Sequence, residues 1–405
     1  MKTLLAAMVL LAASGGAHAP ATPAQAGGGQ RGRYVAILGD CQSCHTAPNG
    51  APFAGGVVLE TPFGRMIAPN ITPDRTGIGG WRFADFRRAL RQGIAPGGRH
   101  LYPAMPYPDY ARLSAADLAA LWAYLKTIKP VHNAIEPDHL RFPFNLRPLM
   151  AGWDWLYLKS APFTPAAGKP AAWNRGAYIV TGPGHCGACH TPKQLLGADR
   201  SDALAGGSLE GWFAPDITGA KLRGLGGWSV AEVIAYLKTG WNNHAVATGP
   251  MAEVVERSTS QMTDGDLKAI ALYLKDQTPK AGMPAAKARD KGAITAGKTL
   301  YRDNCVACHG ADGKGERMIF PSLAGNPGLM QKSPQSPIRV VLEGAQAVTT
   351  SAAPTTPSMP SFAWKLDDAQ VADILTYVRN AWSNRAAPVS AEEVAAVRAA
   401  LKEEP

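Results

Sequence analysis

The chain is short of charge. Asp, Glu, Lys and Arg make up 18% of its 405 residues, against 46% hydrophobic. A disordered chain would reverse that balance. Beyond residue 26 there is no uninterrupted apolar run of the roughly 18 residues that a spanning helix needs, so no transmembrane helix is predicted. Clustered basic residues are missing too. The net charge is +10, but Lys and Arg are scattered with no run of five or six, which excludes nucleic acid as the natural partner. Acidic protein surfaces or membrane head groups suit such a surface better. Strand signals are weak throughout, and 43 Gly with 33 Pro favour loops and tight turns over long regular elements.

The first 26 residues read as a secretory signal. Lys2 is the charged start, Leu4 to Ala13 a short apolar stretch, and Ala24-Gln25-Ala26 a small-residue cleavage site. The mature chain is therefore expected in a bacterial periplasm.

Cysteine is scarce, and its placement is not that of a disulfide framework. The six residues form three C-x-x-C pairs, Cys41/Cys44, Cys186/Cys189 and Cys305/Cys308, each followed at once by a histidine: His45, His190 and His309. CxxCH is the attachment signature of c-type haem. Two thiols about one helical turn apart add to the two vinyl groups of one haem, and the next residue aims its imidazole at the iron. Structural zinc needs two C-x-x-C pairs close together; here they lie more than a hundred residues apart. Three covalently bound haem c groups are expected.

The surroundings repeat with the motif. Gly32 and Tyr34, Gly176 and Tyr178, and Gly297 and Tyr301 precede the three sites on predicted helices. Ala68-Pro69-Asn70-Ile71-Thr72 matches Ala214-Pro215-Asp216-Ile217-Thr218, and Gly79-Gly80-Trp81 matches Gly226-Gly227-Trp228. Amphipathic stretches follow at Phe83 to Arg91 and Val230 to Thr239. The third unit lacks this copy and has Pro321-Ser322-Leu323-Ala324-Gly325-Asn326 instead. Each unit closes with a helix opened by a capping signal, Ser114 with Asp117, Thr263 with Asp266, and Asp367 with Gln370, and carrying Tyr124, Tyr273 or Tyr377 near its end. The predicted fold is mainly α: three tandem cytochrome c-type domains. Their expected bounds are 27–129, 171–279 and 292–384, after a signal at 1–26. An aromatic, Pro-rich linker is expected at 130–170, a second linker at 280–291 and a tail at 385–405.

The second axial position decides between electron transfer and chemistry, because a Met sulfur closes the iron to substrates and raises its potential. Met105, Met251 and Met359 each sit in a Pro-bearing segment before a closing helix, 60, 61 and 50 residues beyond His45, His190 and His309. The competitors are Met66, Met262, Met318 and Met330, with His100, His132, His139, His185 and His244. A thiolate ligand is excluded because no seventh cysteine exists, and a second histidine is excluded in the third unit, where His309 is alone. Pro48 and Pro192, which follow His45 and His190 closely, either supply the carbonyls that orient the haem histidines or simply make the turn after the haem helix.

With Leu101-Tyr102-Pro103-Ala104-Met105-Pro106-Tyr107, Gly249-Pro250-Met251-Ala252-Glu253-Val254-Val255 and Asn70-Ile71-Thr72-Pro73-Asp74 beside the three CxxCH motifs, the chain resembles the triple-haem cytochrome c subunit of bacterial membrane-bound dehydrogenases, of alcohol and gluconate type. The resemblance implies a non-catalytic electron-transfer subunit. Its partner would be a quinoprotein, flavoprotein or molybdoprotein dehydrogenase. Its acceptor would be ubiquinone or a terminal acceptor, and its place the periplasmic side of the inner membrane, held peripherally. The tail has a narrow apolar stripe (Val394, Val397, Leu401) among glutamates, which fit poorly with anionic head groups. The first linker concentrates aromatics at Arg141-Phe142-Pro143-Phe144 and Trp153-Asp154-Trp155-Leu156-Tyr157, which serve either packing between domains or a dock for a subunit or the bilayer.

Overall fold

The computed structural model describes residues 28–403 apart from 210, 280–290 and 356; the signal at 1–26 and nearly all of the second linker lie outside the described residues. The architecture is three helical modules, with only short two- to five-residue strands among them.

Each module is built on one crossing of two helices. In the first, α1 (Gly28–Leu38) crosses α2 (Ala115–Leu125); in the second, α3 (Ala171–Thr181) crosses α4 (Asp264–Lys275); in the third, α5 (Lys291–Asn304) crosses α6 (Asp368–Val378). The repeated glycine is the reason they meet so closely. A Cβ on Gly32 would lie 2.0 Å from the Ala120 carbonyl oxygen, and one on Gly176 or Gly297 would lie 2.0 Å from that of Ala269 or Asp373. No side chain fits at that approach. The repeated tyrosine fills the other side: Tyr124, Tyr273 and Tyr377 place their Cβ atoms 2.5, 2.9 and 2.9 Å from the same virtual position.

Ser114 and Thr263 cap α2 and α4 as predicted, accepting from the Asp117 and Asp266 backbone N–H groups. Their carboxylates do not close the box. The full reciprocal box occurs at Asp367 with Gln370, and again at Ser229 with Glu232 on the helix Val230–Thr239.

Asp117 and Asp266 are instead used between modules. The Tyr34 hydroxyl donates to Asp266 Oδ2 (2.8 Å) and accepts from the Thr263 backbone N–H (3.1 Å). Reciprocally, the Tyr178 hydroxyl donates to Asp117 and accepts from the Ser114 backbone N–H. Arg31 Nε reaches Asp117 Oδ1 at 2.9 Å, and Arg175 holds both oxygens of Asp266 at 2.8 and 2.7 Å. Each module's first helix thus clasps the cap of the other's last helix. One continuous apolar core runs through both, from Val35 and Leu118 to Ile179 and Leu267.

The third module has its own core around Tyr301, Ile338 and Val371. It joins the second through a buried polar plug. Gln331 accepts from the Asp216 backbone N–H (3.1 Å) and donates to the Arg223 carbonyl (2.6 Å), while the fully buried Arg379 donates to the Gln331 carbonyl (3.0 Å).

Two peripheral segments are also packed. Within 130–170, His139–Leu140 extends the small sheet of Val58–Thr61 and Gly64–Ile67, and a helix, Leu149–Tyr157, lies against Tyr107. In the tail, helix α7 (Ala391–Glu403) buries Val394 and packs Val397 and Leu401 on the third core, and Arg398 binds Asp368 at 2.7 Å. The tail's apolar stripe is spent inside the protein.

Candidate haem sites

Each CxxCH motif forms a single helical turn: Cys41–His45, Gly187–His190 after Cys186, and Val306–His309 after Cys305. Cys41 and His45, Cys186 and His190, and Cys305 and His309 stand four residues apart, so their side chains share a face. None of the six cysteines is in a disulfide. Burial pushes the Cys41 and Cys186 thiols up to about 12 and that of Cys305 up to about 11.

The three imidazoles are oriented alike. His45 Nδ1 lies 2.7 Å from the Pro69 carbonyl oxygen, His190 Nδ1 2.7 Å from that of Pro215, and His309 Nδ1 3.1 Å from that of Pro321. A carbonyl only accepts, so Nδ1 carries the proton and the lone pair sits on Nε2. Burial lowers all three histidines below the ordinary value, and the carbonyl bond offsets part of that shift.

Pro48 and Pro192 are therefore not the source of these carbonyls. The acceptors come from the distant repeated loop, whose role is not evident from the sequence. The same loop carries its own brace. Asn70 Oδ1 accepts from the Thr72 backbone N–H (2.9 Å) and hydroxyl (2.8 Å), and Asp216 Oδ1 accepts from those of Thr218 (2.8 and 2.6 Å). These Asx turns hold Pro69 and Pro215 in place. The matched Ala-Pro-Asn/Asp-Ile-Thr pentapeptides are the signal that could have found them.

Met105 and Met251 are half-buried and pack on the joint core that also receives Cys41 and Cys186. Met251 is the second residue of the helix Pro250–Arg257, opened by a proline whose missing N–H costs nothing there. Met359 is half-buried in a two-residue strand paired with Ala345–Gln346 and does not pack with Cys305 in the third core.

The competitors are otherwise engaged. Met262 and Met330 are buried, Met66 is a buried strand residue, and Met318 is exposed. His100 faces Asp154, His132 faces Asp74 and His139 lies beside Glu136. His244 stacks on Trp228 and meets Glu232. His185 donates from Nε2 to the Gly39 carbonyl (3.2 Å), which also accepts from the Tyr110 hydroxyl (2.8 Å). That shared oxygen links the first attachment motif, the Met105 segment and the second attachment motif. Arg257 and Ser258, at the end of the Met251 helix, add bonds to the Gln42 and Ile37 carbonyls. The first two sites are thus locked side by side.

Paired thiols on a helical turn, with an imidazole of fixed tautomer beside them, fit a covalently attached haem c. Cys41, Cys44 and His45 would hold one group, Cys186, Cys189 and His190 another, and Cys305, Cys308 and His309 another. The haem supplies a one-electron iron couple; the protein supplies attachment, ligand orientation and burial. Fold and site together define a c-type cytochrome.

Known proteins agree with that class. The cytochrome c family model matches residues 29–129 and 294–382. The chain is 39% identical over 392 residues to the gluconate 2-dehydrogenase cytochrome c subunit of Pantoea cypripedii, covering 91% of this chain and 89% of that one. It is 38% identical over 418 residues to the alcohol dehydrogenase (quinone) cytochrome c subunit of Gluconobacter oxydans, covering 98% and 87%. Over 377 residues it is 42% identical to one of the subunits of the nicotinate dehydrogenase of Pseudomonas putida, covering 89% of this chain but only 31% of that longer protein. The chain belongs to the family of cytochrome c subunits of bacterial dehydrogenases, and it is an electron-transfer subunit rather than a catalytic chain.

Proposed function

We propose that this chain is an exported, periplasmic relay of three haems that takes electrons from a partner dehydrogenase and passes them to ubiquinone or another respiratory acceptor, bound peripherally to the inner membrane. The observation that carries the reading is the threefold imidazole geometry: three CxxCH histidines, each with Nδ1 committed to a proline carbonyl and Nε2 left for iron. Met105, Met251 and Met359 are proposed as the residues that would supply the iron with a sulfur ligand beside the histidine and so close each site to substrate. The partner is a quinoprotein, flavoprotein or molybdoprotein; the relatives serve gluconate, alcohol and nicotinate dehydrogenases, so the substrate class follows from the partner.

The test is direct. Haem-to-protein stoichiometry of the purified chain should be three, and Met359→Ala should remove the sulfur-to-iron absorption of one haem in three. A stoichiometry of two, or an unchanged band, overturns the corresponding assignment. The isolated chain should take electrons from a co-purifying dehydrogenase and give them to a soluble quinone, without oxidising substrate alone.

A further inference from the structure

The helix Leu149–Tyr157 has its polarity reversed for a solvent-facing segment. Its one charged residue, Asp154, points into the protein, where it accepts from the Tyr107 hydroxyl (2.6 Å) and faces His100 Nδ1 (3.1 Å). Trp153 is also buried, and its indole N–H donates to the Leu196 carbonyl (2.9 Å). What remains outward is Leu149, Ala151, Gly152, Trp155 and Leu156, with Trp155 84% exposed.

Neighbouring segments extend the face. The Trp153–Leu196 bond brings the turn with Leu195, 93% exposed, alongside the helix. On the other side, Phe142 (78% exposed) and Leu146 are held by the Tyr102 bond to the Phe144 carbonyl and the Arg147 bond to the His100 carbonyl. Single exposed leucines are ordinary. Phe142, Leu146, Leu149, Trp155, Leu156 and Leu195, all exposed on segments bonded to one another, offer a surface suited to contact.

The charges say what it contacts. Between residues 141 and 159 the exposed charges are cationic only, Arg141 and Lys159, because Arg147 is paired with Asp138 and Asp154 is turned inward. Around Leu195, Lys193 and Arg200 are paired with Asp199 and Asp202. Trp, Phe and Leu flanked by Arg and Lys is the composition of a segment seated at the head-group level of a bilayer, and a cationic rim selects anionic lipid. Among the described residues no helix is long and apolar enough to cross a membrane, and the apolar stripe of α7 is already buried.

We infer that the outward face of Leu149–Tyr157, with Phe142, Leu146 and Leu195, docks the protein on an anionic lipid surface. The inference deepens the peripheral attachment proposed above. It also sets the Met105 segment near the membrane, since Tyr102 and Tyr107 bind the same elements.

The test is flotation of the full, haem-loaded chain with vesicles of phosphatidylglycerol and phosphatidylethanolamine, against vesicles of phosphatidylcholine alone, at about 0.15 M salt. The parent should float with the anionic vesicles. Trp155→Ser/Leu156→Ser should float at least about tenfold less. Arg141→Gln/Lys159→Gln should lose the preference for anionic lipid. Both pairs lie on the surface, so haem content and dye-driven haem reduction should match the parent. The inference is overturned if the Ser variant floats as the parent does. It is equally overturned if the parent does not float while the variant loses a co-purifying dehydrogenase, which makes the face a protein dock. Failure of haem reduction in the parent would strike the relay instead and leave flotation as a separate result.

Discussion

Removing the two tyrosine hydroxyls that join the first two modules is the sharpest test of how this protein is assembled. Tyr34→Phe keeps the ring in the joint core but deletes the donor to Asp266 and the acceptor for the Thr263 backbone N–H. Tyr178→Phe does the same to Asp117 and Ser114. A hydrogen bond to a charged group contributes about 1.5–3 kcal/mol. Arg31 and Arg175 still hold the two carboxylates, so each single change should fall near the lower end of that range. The double variant should cost about 3–5 kcal/mol, with a departure from additivity because Arg175 senses both sites. Native-state hydrogen exchange reads this module by module: opening free energies of amides in α1 to α4 should fall together, and those in α5 and α6 should hold. A double-variant loss under about 1 kcal/mol, or an equal loss in the third module, would refute the reciprocal clasp.

Further outcomes follow from the same geometry. Gly297→Ala puts a methyl group 2.0 Å from the Asp373 carbonyl oxygen, a clash with backbone that cannot yield cheaply. It should destabilise the third module by about 3 kcal/mol or more and lower haem content at that site alone, measured by peptide-resolved haem mapping. Asp40 is buried, and desolvation pushes its carboxyl up to about 7 from 3.8. The native state therefore keeps a proton that the unfolded chain releases. That contribution is complete below about pH 4 and is lost as pH rises through 7. Asp40→Asn should flatten this fall and stabilise the protein at about pH 8 by on the order of 2–4 kcal/mol, read by denaturant titration across pH. Asn also tolerates the left-handed backbone there, φ 46°. Asn70→Ala removes the brace of the Pro69 carbonyl, strands the Thr72 N–H and leaves the Val131 carbonyl only its longer 3.3 Å bond from the Thr72 hydroxyl. It should cost about 2–3 kcal/mol and shift the potential of the first haem only, checked by redox titration.

Much of the molecule is legible in its sequence because it is local. The attachment motifs, the capping residues Ser114, Thr263 and Asp367, and the amphipathic helices are read from spacing of a few residues, and the helices appear at Phe83–Gln92 and Val230–Thr239. The tyrosine pattern is only half legible. Tyr34 and Tyr178 stand two residues after the crossing glycine, within Arg31-Gly32-Arg33-Tyr34 and Arg175-Gly176-Ala177-Tyr178, whereas Tyr301 stands four after Gly297 with no arginine before it. That difference separates tyrosines that clasp a neighbour from one that folds back to the Gly310 carbonyl within its own module.

Sequence by itself determined the chemistry: six thiols and three histidines at the spacing that is the attachment signature of c-type haem, and three glycines that permit close helix crossing. Tertiary structure alone decided which carbonyls orient the histidines, because Pro69, Pro215 and Pro321 reach them across 24, 25 and 12 residues of intervening chain. It also decided that two modules share one core while the third keeps its own, and that the tail's apolar stripe turns inward while Trp155 turns out. Those outcomes depend on which surfaces meet and exclude water, and burial between distant segments leaves no period in the chain to read.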